Sequence, residues 1–338
     1  MTQPTENRAL RNELGWADFS TRTQLEMRGA DRAKFLHNLC TNNIKELAVG
    51  SGCEAFLLTA QGKILGHVLI FATPDALVLE TEPGQGARLL QHFDRYLIRE
   101  QVELHDRSQD WSELLLAGPE AEEWLARQTA QPPAERLAHC AALLLDQPAF
   151  VRRVDCYGPA AFLIAAARNT VEQITLKLHA EVGPPADLRA VEALRIEAGF
   201  PRFGIDITEK NLPQEVARDR AAISFTKGCY IGQETVARID ALGHVNRLLC
   251  GVRFERQANA IDPSAEAIPP GTELSSSEQP HGAQASGSHT VGAVTSAAYS
   301  PRLKAPLALA YLRRGQHEPG TKLTSIAGAA EVIALPLK

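Results

Sequence analysis

Lys227-Gly228-Cys229-Tyr230-Ile231-Gly232-Gln233-Glu234-Thr235-Val236-Ala237-Arg238 is the stretch around which the rest of the chain is read. It sets a cysteine between two glycines, puts a lysine ahead of it and follows with a glutamine, a glutamate and an arginine. Few loops with a purely structural job need that mixture. If the segment is extended, side chains alternate and Lys227 and Cys229 point to the same side. An ammonium beside a thiol favours the thiolate, which is the reactive form. Gly228 and Gly232 allow a tight bend or a close approach to a ligand. If a helix begins near Gly232, Glu234 and Arg238 are four apart and can pair, as a structural brace or as part of a ligand site. Tyr230 and Ile231 read as core anchors, with stacking on a ligand as the other reading.

Upstream, a helix from Asp187 to Ala198 puts Leu188, Val191 and Leu194 on its inner face, and Gly199 ends it. Its last turn holds Arg195 and Glu197. A glutamate there is awkward for the helix dipole, which prefers cations. Either Glu197 has a specific donor partner or it is a solvated surface residue.

Toward the N-terminus, alternation of Thr23, Leu25 and Met27 predicts a strand. Asp31 then caps a helix whose Phe35, Leu36, Leu39 and Cys40 share one face. Thr41-Asn42-Asn43 follows, as a helix stop or as the polar wall of a pocket. Strands over Cys53–Thr59 and Ile64–Ala72 flank a hairpin turn at Ala60-Gln61-Gly62-Lys63. A strand over Ala76–Glu80, a helix through Leu89, Phe93 and Leu97, and a strand over Val102–His105 complete this part.

The next part reads as a unit of its own. A strand over Leu114–Ala117 leads to a helix with Pro119 in its first turn. Strands over Ala141–Leu145, Val151–Cys156 and Ala161–Ala166 follow, and a helix over Thr170–Glu181 closes a small ferredoxin-like α+β layer. Gly183-Pro184-Pro185 marks a boundary. From His244 the texture changes to short strands over Leu248–Phe254, Val291–Ser296, Pro306–Leu312 and Glu331–Leu335, which predicts a closed or sandwiched β domain. Ser275 to His289 reads as a mobile hairpin loop without assigned function.

Composition narrows the function. The chain has 338 residues, enough for two or three domains, and a net charge of -5. That balance argues against a broad nucleic-acid surface, which needs a basic excess. No run of about 18 apolar residues is present, so no membrane span is expected. The stretch Met1 to Gly15 lacks the apolar core of a secretory signal and the acid-poor character of a transit peptide, so a cytoplasmic location is expected. None of the six cysteines forms a C-x-x-C pair, and they read as free thiols in a reducing compartment, with no metal held by this chain alone. No phosphate-binding glycine loop, H-E-x-x-H or nucleophile-elbow serine occurs. His67, in an apolar strand, is either a satisfied core residue or a metal ligand. The residues alone therefore describe a pocket protein with one candidate reactive thiol and a polar ligand.

Several stretches together are similar to a known family. Lys227 to Glu234 resembles the signature of the YgfZ folate-binding proteins, which share a superfamily with the T-protein (aminomethyltransferase) of the glycine cleavage system. Phe35 to Asn43 resembles that superfamily's early helix and its Thr-Asn end. Leu194 to Asp206 resembles its second segment, and Val291 to Pro301 with Ala308 to Leu312 its terminal barrel. The resemblance implies an α+β, three-domain cloverleaf around a central folate-binding hole, with a ferredoxin-like middle domain and a C-terminal β-barrel. It implies a discontinuous folate-binding domain over 15–106 and 187–243, the middle domain over 107–186 and the barrel over 244–338. Tetrahydrofolate or a derivative is the implied cofactor. Glu197 would hold the pterin, with Thr41, Asn42 and Asn43 near, and Arg195, Gly232, Gln233 and Arg238 as further folate-binding candidates. Cys229 and Lys227 would be the functional pair.

The implied role is maturation or repair of iron–sulfur enzymes, with effects on tRNA modification through them. Its implied partners are those client enzymes or cluster-assembly proteins, with no membrane and no direct nucleic-acid contact. One departure bears on this. The T-protein carries paired aspartates in the strand after its glycine hairpin, and here the matching positions are Gly66 and His67. Without that carboxylate, aminomethyl transfer loses its proposed electrostatic and acid/base group. A tetrahydrofolate-dependent aminomethyl or one-carbon transferase is the alternative, and a Cys229 thiol redox protein a second one.

Overall fold

The structure is a computed structural model that describes residues 10–129, 131–255, 268–276 and 289–337. The chain falls into two compact units, one of residues 1–191 and 218–235, the other of 192–217 and 236–338. The architecture is mixed α+β with a closed barrel at the C-terminal end.

The first unit contains two five-stranded antiparallel sheets. Strands β1 (Gly15–Asp18) and β2 (Thr23–Arg28) precede helix α1 (Arg32–Leu39). Strands β3 (Gly52–Leu58), β4 (Ile64–Ala72) and β5 (Ala76–Thr81), helix α2 (Gly86–Asp94) and strand β6 (Glu103–Asp106) follow. They form one sheet in the order β3-β4-β5-β2-β6. Strand β7 (Trp111–Ala117), helix α3 (Ala121–Gln128), strands β8 (His139–Leu144), β9 (Gln147–Val154) and β10 (Ala161–Ala167), and helix α4 (Arg168–Glu181) build the other, ordered β1-β7-β10-β9-β8.

Period-two alternation decides which face each residue serves. On one face of the first sheet Leu25, Ala55, Leu57, Val68, Ile70 and Leu79 pack against Phe35, Leu36 and Leu39 of α1 and Leu89 and Phe93 of α2. On the second sheet Leu114, Leu116, Val151, Phe162 and Ile164 pack against Trp124 of α3 and Ile174 and Leu178 of α4. Helices thus cover the outer faces. The inner faces meet each other: Arg152 of β9 donates to Gln24 of β2, and His139 of β8 is hydrogen-bonded to the Ala72 carbonyl of β4 at 2.9 Å. Two sheets with both faces covered read as continuous apolar runs, which is why β4 and β10 show little alternation.

Three local expectations are corrected. Asp31 sits at the start of α1 but makes no side-chain cap, because its carboxylate accepts the Gln101 N–H at 2.9 Å instead. Leu97 lies past the end of α2. Leu188, expected on an inner helix face, is 66% exposed at the first turn of α5 (Leu188–Glu197). Gly199 does end that helix, with a positive φ of 67°.

Helix α6 (Asp219–Ala222) belongs to the first unit, and helix α7 spans Gln233–Leu242. Strands β11 (Arg247–Phe254), β12 (Glu273–Ser276), β13 (Thr290–Ser300), β14 (Ala305–Arg313), β15 (Lys322–Ser325) and β16 (Gly328–Ile333) close a six-stranded barrel in the order β11-β14-β13-β12-β15-β16. Ala308, Ala310 and Leu312 point into the barrel with Val252, Phe254 and Leu274. Leu307, Leu309 and Tyr311 point outward and pack on Ile196 of α5. The stretch read as a loop over Ser275 to His289 begins inside β12, and its residues 277–288 lie outside the described residues. No helix among the described residues is long and apolar enough to cross a membrane.

Candidate functional site

The segment after α6 wraps the C-terminal end of α1, and this brings two of the quoted motifs together. Helix α1 ends without a glycine, so its last carbonyls need other donors. The Ser224 N–H donates to the Thr41 carbonyl and the Ile231 N–H to that of Asn38. Lys227 supplies the rest: its buried Nζ donates to the carbonyls of His37, Cys40 (2.7 Å) and Asn42 (2.8 Å). It also lies 4.8 Å from the Tyr230 ring centroid. Three convergent oxygens suit an ammonium with three donors, at the end of the helix where a cation is favoured. Burial lowers the Lys227 pKa.

The polar residues at 41–43 are largely consumed by this junction. Thr41 is fully buried; its hydroxyl donates to the Ala222 carbonyl and accepts the Phe56 N–H. The Asn42 amide donates to the carbonyls of Glu54 and Ala221, and its oxygen accepts the Asn43 N–H. Asn43 differs, because its Oδ1 is buried without a hydrogen-bond partner among the described residues.

Lys227 and Cys229 are not held together. The chain bends over residues 225–227, so the alternation rule for an extended segment does not apply. Lys227 and Tyr230 turn inward, each 8% exposed, whereas Cys229 is exposed. No hydrogen bond or ion pair joins Lys227 to Cys229. Of the six cysteines Cys229 alone is exposed. Burial pushes the other thiols up, Cys250 to about 12 and Cys40 and Cys156 likewise upward, which disfavours their thiolates.

Gly232 and Gln233 open α7. Gly232 has a φ of 80°, and a Cβ there would stand 2.6 Å from the Thr59 carbonyl oxygen and 3.0 Å from Gly62 Cα. A glycine is therefore required where the motif turn meets the 59–63 hairpin turn. The Thr235 hydroxyl seals that contact by donating to the Gln61 carbonyl. The Gln233 side chain accepts the Tyr230 N–H at 3.3 Å. Glu234 and Arg238 are both exposed, and neither carries an ion pair among the described residues, so the expected brace does not form.

His67 is buried, with Nε2 2.8 Å from Glu54 Oε1 and its ring against Phe56. It is thus a satisfied inner-face residue. Glu54 is completely buried, and Arg218 grips both its oxygens while Arg136 reaches Oε2. Burial alone would raise this carboxyl, but Arg218 and His67 hold it well below the usual carboxylate range. Sequence reasoning missed this cluster. Glu54 stands within an apolar strand, and Arg136 and Arg218 are far from it along the chain; a lone carboxylate in a buried strand was the only available signal.

In the second unit, α5 presents Arg195 and Glu197. Arg195 is 1% exposed and links Glu192, the Phe200 carbonyl, Asp206 (2.8 Å) and Ser296 (2.9 Å). A bulge between Val294 and Ser296 turns the hydroxyls of both Thr295 and Ser296 onto Asp206 Oδ1. Arg195 is therefore the hub that ties α5, the loop at 200–207 and β13 together. Glu197 is buried, with the Ser300 hydroxyl donating to Oε1, so it has the specific donor its position demanded. Among the described residues no group of three or more His, Cys, Asp or Glu could hold a metal ion.

Comparison with known proteins bears on these features. The family description "GCVT N-terminal domain" matches residues 2–227, and "Glycine cleavage T-protein C-terminal barrel domain" matches 249–337. The chain is 27% identical over 321 residues to an aminomethyltransferase of Nostoc sp., covering 91% of this chain and 79% of that one. It is 26% identical to an aminomethyltransferase of Thermus thermophilus, covering 93% and 84%. A putative chloroplastic transferase of Arabidopsis thaliana is 26% identical over 73% of this chain and 57% of its own length. The crystal structure of glycine cleavage system aminomethyltransferase T from Bartonella henselae superposes with a TM-score of 0.84 at 21% identity, over 99% of this chain and 90% of that one. That likeness establishes the fold, and the two matched domains establish that the chain belongs to the glycine cleavage T-protein family.

Proposed function

We propose that this chain binds tetrahydrofolate or a derivative and uses it as an accessory factor for the maturation or repair of iron–sulfur enzymes, with tRNA modification affected through them. The observation that carries the reading is at Gly66 and His67. The strand position expected to hold a transfer carboxylate has none, and the one side chain there is committed to Glu54. The position therefore offers no carboxylate for the electrostatic and acid/base part of aminomethyl transfer. Cys229, by contrast, offers an exposed thiol at the crest of a loop clamped from below by Lys227 and Tyr230. Lys227 then serves the motif by holding that loop.

The residues fit a folate. Asn43 Oδ1, buried and without a donor among the described residues, would accept from an N–H of the pterin. Glu197, oriented by the Ser300 hydroxyl, would hold the pterin. Gln233 and Arg238 are the remaining candidates for direct contact. Thr41, Asn42, Arg195 and Gly232 would act by positioning, since their polar atoms or backbone are already engaged. Bound tetrahydrofolate would supply a one-carbon acceptor or donor.

A second reading, a tetrahydrofolate-dependent aminomethyl or one-carbon transferase, is favoured by the names of the relatives, which support it more directly than they support the first. The assay that separates the two is formation of methylenetetrahydrofolate from an aminomethyl donor. The accessory reading expects no rate above the uncatalysed one. A clear rate that His67→Ala abolishes would overturn it in favour of the transferase.

A further inference from the structure

Between the inner faces of the two sheets of the first unit lies a cavity of about 140 Å³ that the folate reading leaves unused. Its size is close to that of the roughly 150 Å³ apolar cavity known to hold one benzene ring. Three aromatic residues line it: Phe71 of β4, Trp111 of β7 and Phe150 of β9. The Trp111 and Phe150 ring centroids are 5.7 Å apart, tilted by 31°. Such walls suit the faces and edges of a flat ring.

At the inner end stands Arg152, 2% exposed, with its guanidinium carbon 4.6 Å from the Phe71 centroid. Its Nη1 donates to Glu113 Oε1 and to Gln24 Oε1 at 3.1 Å. Its Nε is buried without an acceptor, as is the Nε2 of Gln24, which lines the same cavity. Nη2 likewise has no acceptor among the described residues, so the Nε–Nη2 edge of the guanidinium carries no hydrogen bond there. A buried guanidinium that lacks its full set of acceptors is costly unless an acceptor arrives. Its ion-pair partner among the described residues is Glu113, whose carboxyl is raised by burial.

Both acids of the lining are already paired. Glu26 is shared by Arg28 and Arg107, and Asp75 pairs with Arg28. The lining therefore sets Arg28, Arg107 and Arg152 against Glu26 and Asp75, an excess of one positive charge. An apolar slot one ring deep, ending on a guanidinium with a free donor edge, matches one chemical class. We infer that this cavity binds a single-ring aromatic carboxylate, with its ring among Trp111, Phe150 and Phe71 and its carboxylate on Arg152.

The probe is benzoate, titrated calorimetrically into the full chain, with benzyl alcohol and acetate as comparators and the Trp111 indole resonance as a local reporter. Saturable benzoate binding is expected, with a shift of the Trp111 signal and affinities for both comparators weaker by roughly tenfold or more, since each lacks the charge-assisted bond or the ring. Arg152→Gln should reduce benzoate affinity by a similar factor. Because that change also disturbs Glu113, Val78→Phe is the second variant: Val78 lines the cavity but belongs to no charge network, and the added ring should abolish binding. Absence of saturable benzoate binding, equal affinity for benzyl alcohol, or full benzoate affinity in Val78→Phe would each overturn the assignment.

Discussion

Lys227→Met is the substitution whose consequence the structure fixes most closely. It keeps an aliphatic side chain and removes the ammonium that closes the end of α1 and lies over the Tyr230 ring. The contacts to the His37 and Cys40 carbonyls are buried, and that to Asn42 is partly buried. Each buried carbonyl left without a donor costs about 1–3 kcal/mol. Loss of the cation from the helix end adds about 0.3–1 kcal/mol. The variant no longer desolvates an ammonium, which offsets part of this. The expected net loss is about 3 kcal/mol of stability in the first unit. Hydrogen exchange across α1 and residues 222–232, together with urea unfolding, would read it. Protection there should fall in step with global stability. Lys227→Arg should recover little, because a planar fork does not converge on three oxygens as an ammonium does. A loss below about 1 kcal/mol, with exchange in α1 unchanged, would refute the clamp.

Other consequences can be checked on the same protein. Arg218→Met leaves the fully buried Glu54 with Arg136 and His67 alone, and should cost about 3–5 kcal/mol in thermal or denaturant unfolding. Acidification should destabilise the first unit in two stages. His37 is pushed down to about 4 by burial, then by Lys227 and Lys45, and His92 to about 4 by burial, then by Arg95 and Arg88. A lowered histidine is neutral in the fold while the unfolded chain still binds its proton, so stability falls as pH drops from about 6.5 toward 4. From about 4.5 downward Glu54 takes over, because a depressed carboxyl stabilises fully above its unfolded pKa and loses that contribution as pH falls through its folded one. His37→Asn should flatten the first stage in pH-dependent unfolding; an unchanged profile would contradict the assignment. Peptide mapping after brief iodoacetamide treatment should find Cys229 alkylated first, with Cys40 and Cys156 modified only on unfolding.

Much of the order of strands and helices was legible where a period is clear, as in Thr23–Arg28 and Gly86–Asp94, whereas β1, β12 and β15, four residues each, were too short to show one. The motif around Cys229 stood out in the sequence, but its internal geometry was not legible there. The alternation rule put Lys227 beside Cys229, and a bend over residues 225–227 sends them opposite ways. Polar residues buried between two sheets were the other blind spot. Glu54, Glu113 and Arg152 each have partners far along the chain, and no local pattern distinguishes such residues from surface ones. Glu197 shows the opposite case, in which an unfavourable helix position signalled a partner, supplied by Ser300. At 41–43 the two readings divided: Thr41 and Asn42 close the helix end, and only Asn43 keeps a buried acceptor to spare.

The central claim is that this family member binds a reduced folate, and calorimetric titration of the full chain with tetrahydrofolate tests it most directly. Saturable one-to-one binding is expected, weakened by Glu197→Gln and by Asn43→Leu but not by Cys229→Ser. No binding at millimolar tetrahydrofolate, or binding indifferent to both Glu197 and Asn43, would contradict it.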